Sequence, residues 1–587
     1  DYSGNGNNWT PNNFSVTAGA GNDSMVDSPT QYGFDTGVGG SVRGNYATLN
    51  PIGNPSTPTY SITNGNLDYA ATGSVGVAYQ QAAIATIGVT SGKWYYEGTV
   101  TSNNPGLGFS SELFYQSARG TIRITYYSGS LGNSAGITAT GSPATFTNGD
   151  VIAVAYDADA GTATVYKNNV SQGTFSGIAI GTALFPYVEP NTAAAASGVS
   201  FNFGQRPFAY TAPSGFKALC TQNLPTPTIG ATSNTLATQF FAPVLWTGTG
   251  TQTRSITGLD FQPDLTWMKI RADTPQDHQL YDAVRGAGGG KNLSSNTNAA
   301  EGTVNGYPDA DYGYVSSFDS GGFSVNDGAV ATTGGYVNYS GRTYVAWNWR
   351  AGNNAGASNS AGSITSTVSA NTTSGFSVVT YTGTGSAGAT VGHGLGAVPS
   401  MIIFKRRNAT SDWQVYHTSL GNANSVYLNL TNSSAASPGM LNSTTPTSTL
   451  ITLGTSTDTN PSTGTMVAYC FAEVAGYSKF GSYTGNGSAD GPFVFTGFRP
   501  AYVMVKRTSS AGTNWQILDT KRSTYNVMAD YLYASAANVE GYDTSVGIDS
   551  LSNGFKIRGT DANTNTNSAT YIYMAFAENP FKYSLAR

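Results

Sequence analysis

Along most of this chain, apolar and polar residues alternate in short bursts broken by Gly, Asn and Pro. This period-two pattern predicts strands with one face toward a core. From about residue 60 the bursts run GKWYYEGTV (92–100), GLGFS (106–110), GDVIAVAYDADAGTATVYKNN (149–169), LFPYV (184–188) and VSFNFGQRPF (199–208). The third reads as a hairpin in which Val151, Ala153 and Ala155 face inward, DADAG turns, and Thr164 and Tyr166 return. Residues 1–33 differ, being almost all turn-formers and small polar residues around Trp9, Phe14 and Met25. They are expected to form an extended strap, ordered only against a neighbouring domain or subunit, because so little apolar area does not offset the ordering entropy.

Beyond residue 229 the pattern recurs. A turn appears as WTGTG (246–250), YTGTG (381–385) and YTGNG (483–487), each followed by a Pro-led apolar run: PDLTWMKIR from Pro263, PSMIIFKRR from Pro399 and PAYVMVKRT from Pro500. Next come HQLYD (278–282), WQVYH (413–417) and WQILD (515–519), then the closing strands YVAWNW (344–349), MVAYCF (466–471) and YMAFAE (573–578). Four motifs in one order, three times, predict a threefold internal repeat. The continuous apolar runs predict strands covered on both faces, with Pro where a strand tolerates loss of a ladder donor. In the WQILD group, alternate residues share a face around an aliphatic anchor. The last position changes between Asp and His, which matters little to a strand end and would ruin an acid–base site.

Composition agrees with an all-β chain of several domains: 587 residues, 10% charged, with 73 Gly, 36 Tyr and 26 Phe. The net charge of -5 comes from scattered groups. No basic stripe is present to meet nucleic acid, and no apolar run is long enough to span a bilayer. Cys220 and Cys470 fall in different modules, so no disulfide framework is expected. The chain begins at Asp1 rather than Met, and a further N-terminal region is expected upstream.

The order and wording of the five bursts between residues 60 and 215 resemble the SPRY domain, a bent two-sheet β-sandwich. That resemblance implies a ligand-binding scaffold without common catalytic machinery. The N-terminal strap resembles the linker after a lectin-like sandwich in tail-fibre and other structural proteins of marine bacteriophages. The expected organisation is a strap (1–59), a SPRY-like, concanavalin-like β-sandwich (60–228) and three tandem β-sandwich-like repeat modules (229–360, 361–475, 476–587).

Candidate chemistry is sparse. DADAG (157–161) has the alternating acids of a calcium loop but lacks the downstream Glu, so a hairpin turn is favoured. Phe114, Tyr115, Tyr126 and Tyr127 are either a stacking face for sugars or, alternately, the inward face of strands. Lys269, Lys405 and Lys506 each stand six residues after the Pro; they either hold an anionic sugar or pair locally and guard an edge. The loop GYPDADYGYVSSFD (306–319) has no counterpart in the other units and places Tyr307, Asp309, Asp311 and Tyr312 as recognition residues. With three His in all and none of the common catalytic signatures, no enzyme, cofactor or metal is expected. The alternative is a carboxylate-based glycan depolymerase using Asp309 with Asp311, or Glu301.

The strap, the SPRY-like module and the C-terminal repeats together resemble marine bacteriophage proteins, and the leading reading that this resemblance implies is a virion structural and receptor-binding protein, a phage tail fibre or similar appendage that recognises a host-surface glycan or protein. The expected partners are its own subunits, as a homotrimer, and tail or baseplate proteins reached through the upstream region. A bacterial surface adhesin built from the same modules is the second reading, and a tail-associated depolymerase the third.

Overall fold

A computed structural model describes residues 45–578 apart from 54–59, 73–80, 103–104, 112–121, 192–195, 231–234, 273 and 331–335. The strap at residues 1–33, Phe114 and Tyr115 lie outside the described residues. The described residues are all-β apart from single helical turns, and the chain divides into two compact units, residues 1–226 with 581–587, and residues 227–580.

In the first unit the described strands form two sheets. One is ordered Tyr60–Thr63, Asp68–Ala71, Ser197–Asn202, Lys93–Ser102, Val151–Asp157, Thr162–Lys167, Val170–Ser176, Thr138–Thr140; the other is Ala83–Ile84, Phe185–Pro190, Pro105–Ser110, Arg123–Tyr127, Ser130–Asn133. Trp94, Tyr96, Phe109, Ile124, Tyr126, Phe175 and Phe201 fill the core between them. The hairpin at DADAG forms, with Thr162 opposite Asp157 and Gly161 at a φ of +63°. Its facing is the reverse of the sequence expectation. Ile152, Val154 and Tyr156 point into the core, whereas Ala153 and Ala155 lie on the other face beneath Tyr95, Phe208 and Phe216. Bulk decides this, because only the larger side chains fill the space between the sheets. Ala47 and Leu49, inside the expected strap, are fully buried in the same core.

The second unit contains three lobes, each built on one main sheet. The central order is the same in all three. The strand after the linker (Phe241–Thr247, Phe376–Thr382, Ser478–Thr484) pairs with the closing strand (Thr343–Trp349, Thr465–Ala472, Thr570–Ala577). The closing strand pairs with the Pro-led strand (Leu265–Ile270, Pro399–Arg406, Pro500–Arg507), and that strand with the motif strand (Gln279–Asp282, Gln414–His417, Gln516–Asp519). The Pro-led strand is thus interior, as its apolar runs predict. A second, smaller sheet covers the outer face of each main sheet, so that Met268 and Ile270 pack with Ile256, Phe323 and Val325, and Ile402 and Phe404 with Val391, Ile451 and Leu453.

The G-x-G turns are clamps. The aromatic before each turn donates to a main-chain oxygen: Trp246 Nε1 to Val337, Tyr381 Oη to Thr459 and Tyr483 Oη to Thr564. The next residue in each case, Asn338, Asn460 or Asn565, is buried and accepts a turn N–H with its side-chain oxygen, from Thr249, Thr384 and Asn486 respectively. The second glycines, Gly250, Gly385 and Gly487, have φ of 70°, 73° and 65°, where a side chain is strained.

The inner faces of the three main sheets meet in one core. Trp267, Leu280, Trp347 and Trp349 from the first lobe join Ile403, Trp413, Val415 and Phe471 from the second and Tyr502, Met504, Trp515 and Ile517 from the third. A small cavity of about 10 Å³ in this core has residues of all three lobes in its lining, among them Trp267, Ile403 and Met574. The lobes therefore share their largest apolar surface. Trp515, the indole that opens the WQILD group, is 1% exposed and donates its Nε1 to the Tyr427 carbonyl at 2.8 Å.

The last position of the motif is not the indifferent strand end that its alternation between Asp and His suggests. Asp519 is fully buried, paired with Arg522 and hydrogen-bonded by Trp347 Nε1 of the first lobe at 3.0 Å. Asp282 pairs in the same way with Arg285 and accepts from Tyr469 Oη of the second lobe at 2.8 Å. At the third position, His417 donates Nε2 to the Tyr573 carbonyl at 3.1 Å, and no charge is needed. All three contacts bridge lobes, which a strand read on its own does not reveal.

Candidate functional site

The candidate recognition loop of the first lobe is a fixed structure. Thr303–Val304 and Tyr307–Pro308 form a short hairpin around Asn305 (φ 48°) and Gly306 (φ 80°), the left-handed pair that tight hairpin turns prefer. Its tip is tied down where Asp277 N–H donates to Asn305 Oδ1 at 2.8 Å and Asn305 N–H to Asp277 Oδ2 at 2.7 Å. One helical turn, Asp309–Tyr312, follows and stops at Gly313.

Asp309 holds this loop from within. Its side chain is fully buried and accepts from the N–H groups of Gly290, Lys291 and Asn292 and from Tyr281 Oη. It is therefore an anchor and not the ligand-facing group expected of it. Asp311, two residues on, is half-buried. Glu301 is taken up by Arg285 and Arg407 at 3.0 and 2.9 Å.

Above this anchor three tyrosines form a ladder. Tyr307, 54% exposed, packs on half-buried Tyr312 with ring centroids 5.1 Å apart, and Tyr312 packs on buried Tyr336 at 5.5 Å. Tyr336 was missed in the sequence because it lies far along the chain in another loop; Asp277, also missed, stands beside it. Burial, reinforced by Tyr312 and Asp277, pushes the Tyr336 hydroxyl up to about 12, so it stays neutral. The outcome is one exposed aromatic face, backed by two rings that hold it still. Such a face is suited to the apolar side of a sugar ring. Tyr525 and Tyr542 in the third lobe, 85% and 72% exposed, are further surface aromatics that the sequence reading did not single out.

The remaining candidates are placed elsewhere. Tyr127 is buried in the first unit and hydrogen-bonds Arg123 and Glu189, while Tyr126 is in the core. In DADAG, Asp157 pairs with Lys93 and accepts the Ala160 N–H, as a turn requires. Lys269, Lys405 and Lys506 are at most 1% exposed and sit within central strands, so they neither guard an edge nor reach a ligand. Their ammonium groups donate to main-chain oxygens: Ile270 and Ala537, Asn298 and Ser411, and Thr513. Burial lowers their pKa values to about 7, 8 and 8. In the first unit, a cleft of about 430 Å³ lined by Lys93, Trp94, Lys217 and Asn223 was not foreseen.

Among the described residues no group of three or more His, Cys, Asp or Glu is placed to hold a metal, and no helix is long and apolar enough to cross a membrane. Cys220 and Cys470 are both fully buried.

No curated protein sequence matches the chain. Among solved structures, the SPRY domain of human HERC1 is 22% identical over 26% of this chain and 94% of its own, with a TM-score of 0.20. The PSpry domain of TRIM65 is 12% identical over 27% and 90%, with a TM-score of 0.19. Stonustoxin is 15% identical with a TM-score of 0.21, and this chain spans only 30% of its length. The SPRY family model matches residues 74–206, within the first unit. A second family model matches residues 236–580, more than half of the chain and nearly all of the three-lobed unit, and the protein belongs to that family, described as Domain of unknown function (DUF7483).

Proposed function

We propose that this protein is a structural and receptor-binding component of a phage tail fibre or similar virion appendage, and that the tyrosine ladder of the first lobe seats a host-surface glycan. We infer, too, that the three lobes are copies of one unit, on the strength of the matched sheet order and the three Asn-clamped turns. The observation that carries the binding reading is Tyr307: its ring is exposed, yet Tyr312, Tyr336 and the Asp309 anchor hold it in one place. A rigid aromatic face loses little entropy when a ligand stacks on it. Asp309, one of the loop's carboxylates, is committed to four hydrogen bonds, which favours binding over glycan cleavage at this place.

The test compares adsorption of particles to host cells, and binding of the purified chain to host polysaccharide, for the native protein and Tyr307→Ala. Weaker attachment at an unchanged melting temperature is expected; unchanged attachment would sink the assignment. Immunogold labelling on virions rather than on bacterial envelopes separates the appendage from an adhesin. Release of reducing sugar from the polysaccharide would move the protein into the depolymerase class.

A further inference from the structure

The contacts between lobes run head to tail. His278 of the first lobe donates Nε2 to the Tyr533 carbonyl of the third at 2.9 Å, its Nδ1 being occupied by Trp267 Nε1–H. In the corresponding place, Trp413 of the second lobe donates Nε1 to the Ser294 carbonyl of the first at 2.9 Å, and Trp515 of the third to the Tyr427 carbonyl of the second at 2.8 Å. Main-chain bonds repeat the cycle: Glu540 N–H to Arg271 O, Glu301 N–H to Arg407 O and Ser434 N–H to Thr508 O, at 2.9, 2.8 and 2.9 Å. Each lobe thus offers one face to the lobe before it and another to the lobe after it, and the third contact returns to the first. A heterologous contact that closes after three steps is the geometry of a cyclic trimer.

We propose that residues 227–580 are a closed threefold ring made by one chain, in which the partner for each lobe's docking face is the next lobe of the same chain and not a second copy. This part of the protein then takes the place of a homotrimer and does not itself trimerise. The faces that would bind further copies are already covered: Trp413, Trp515 and His278 are each at most 1% exposed, and the apolar inner faces lie in the shared core. Two of the three seams carry matching ion pairs, Arg407 and Arg285 on Glu301, and Arg271 and Arg522 on Glu540. The third places Thr508, Leu420 and Ser434 at the corresponding positions. A homotrimer has one seam in three copies and cannot differ in this way, so the asymmetry itself requires that the three lobes be distinct in sequence.

The test uses the full chain carrying Ser434→Cys and Thr508→Cys, whose main chains are hydrogen-bonded across the uncharged seam and so lie within reach of a disulfide. On oxidation, the ring gives a crosslink within one chain: the product keeps monomer mass on a denaturing gel, and two single variants mixed before refolding give no crosslink. Covalently linked multimers, or no crosslink in the folded double variant, would overturn the proposal. The result is independent of whether the tyrosine ladder binds a glycan. It also holds if the first unit associates, since that association leaves the crosslink within the chain.

Discussion

Trp347 Nε1 lies 3.0 Å from Asp519 Oδ2, joining the closing strand of the first lobe to the motif strand of the third. The same carboxylate pairs with Arg522, and both side chains are wholly withdrawn from water. Asp519→Asn should therefore lower stability by roughly 3 to 5 kcal/mol in denaturant unfolding, the cost of leaving a buried charge without its partner. A change within experimental error would mean that Glu540, which also contacts Arg522, suffices alone.

Trp515→Ala removes a fully packed indole and leaves the Tyr427 carbonyl without its donor across a seam. The expected loss is about 3 to 5 kcal/mol. Tyr307→Ala, at an exposed ring, should stay within about 0.5 kcal/mol of the native protein. Measuring both by equilibrium unfolding separates core from surface.

Asp309→Ala would deprive three backbone N–H groups and the Tyr281 hydroxyl of their acceptor. With an unmet buried donor costing about 1 to 3 kcal/mol, the loop should loosen. Hydrogen exchange at Gly290, Lys291 and Asn292 is the readout, and retained protection there would show that the anchor lies elsewhere.

The three buried lysines make stability depend on alkaline pH. Their folded pKa values of about 7, 8 and 8 lie below the ordinary 10.5, so between these limits the unfolded chain holds more protons than the folded one. Stability should therefore rise as pH rises from about 7 toward 9.5. Lys269→Met should flatten that rise. Buried His417, lowered to about 4 from 6.5, acts in the same sense on the acid side: stability should fall as pH drops from 6.5 toward 4. Melting curves across this range test both limbs, and a native protein that loses stability between pH 7 and 9 would contradict the assignment.

What was legible in the sequence was local. The Pro-led runs, the G-x-G turns and the WQILD group all become the strands and turns that their spacing implies, because period and turn chemistry are properties of adjacent residues. Facing was harder to read. Val151, Ala153 and Ala155 alternate as well as Ile152, Val154 and Tyr156 do, and only the volume between two sheets decides between them. What a strand faces was not legible at all. Leu280, Val415 and Ile517 read as core residues of separate modules, yet they meet in one core. Asp519 and His417 looked interchangeable because their partners, Trp347 and Tyr573, stand in other lobes. At the candidate site, Tyr307 and Tyr312 could be named together because one loop carries both. Asp309 was misread because an acid in a polar loop carries no sign of the backbone donors that surround it, and Tyr336 comes from a different loop.

A homotrimer must choose each residue once and repeat it three times about its axis. Here the Pro-led strands bring Leu265, Met401 and Tyr502 to equivalent places, followed by Trp267, Ile403 and Met504. Three different side chains can divide a shared space unequally, one large ring against two smaller groups, in a way that identical copies cannot. The same freedom lets one lobe carry the tyrosine ladder while the other two vary their loops without regard to it. Joining the three lobes in one polypeptide thus releases each position from its symmetry mates, and lets the surface diversify around a centre that must stay packed.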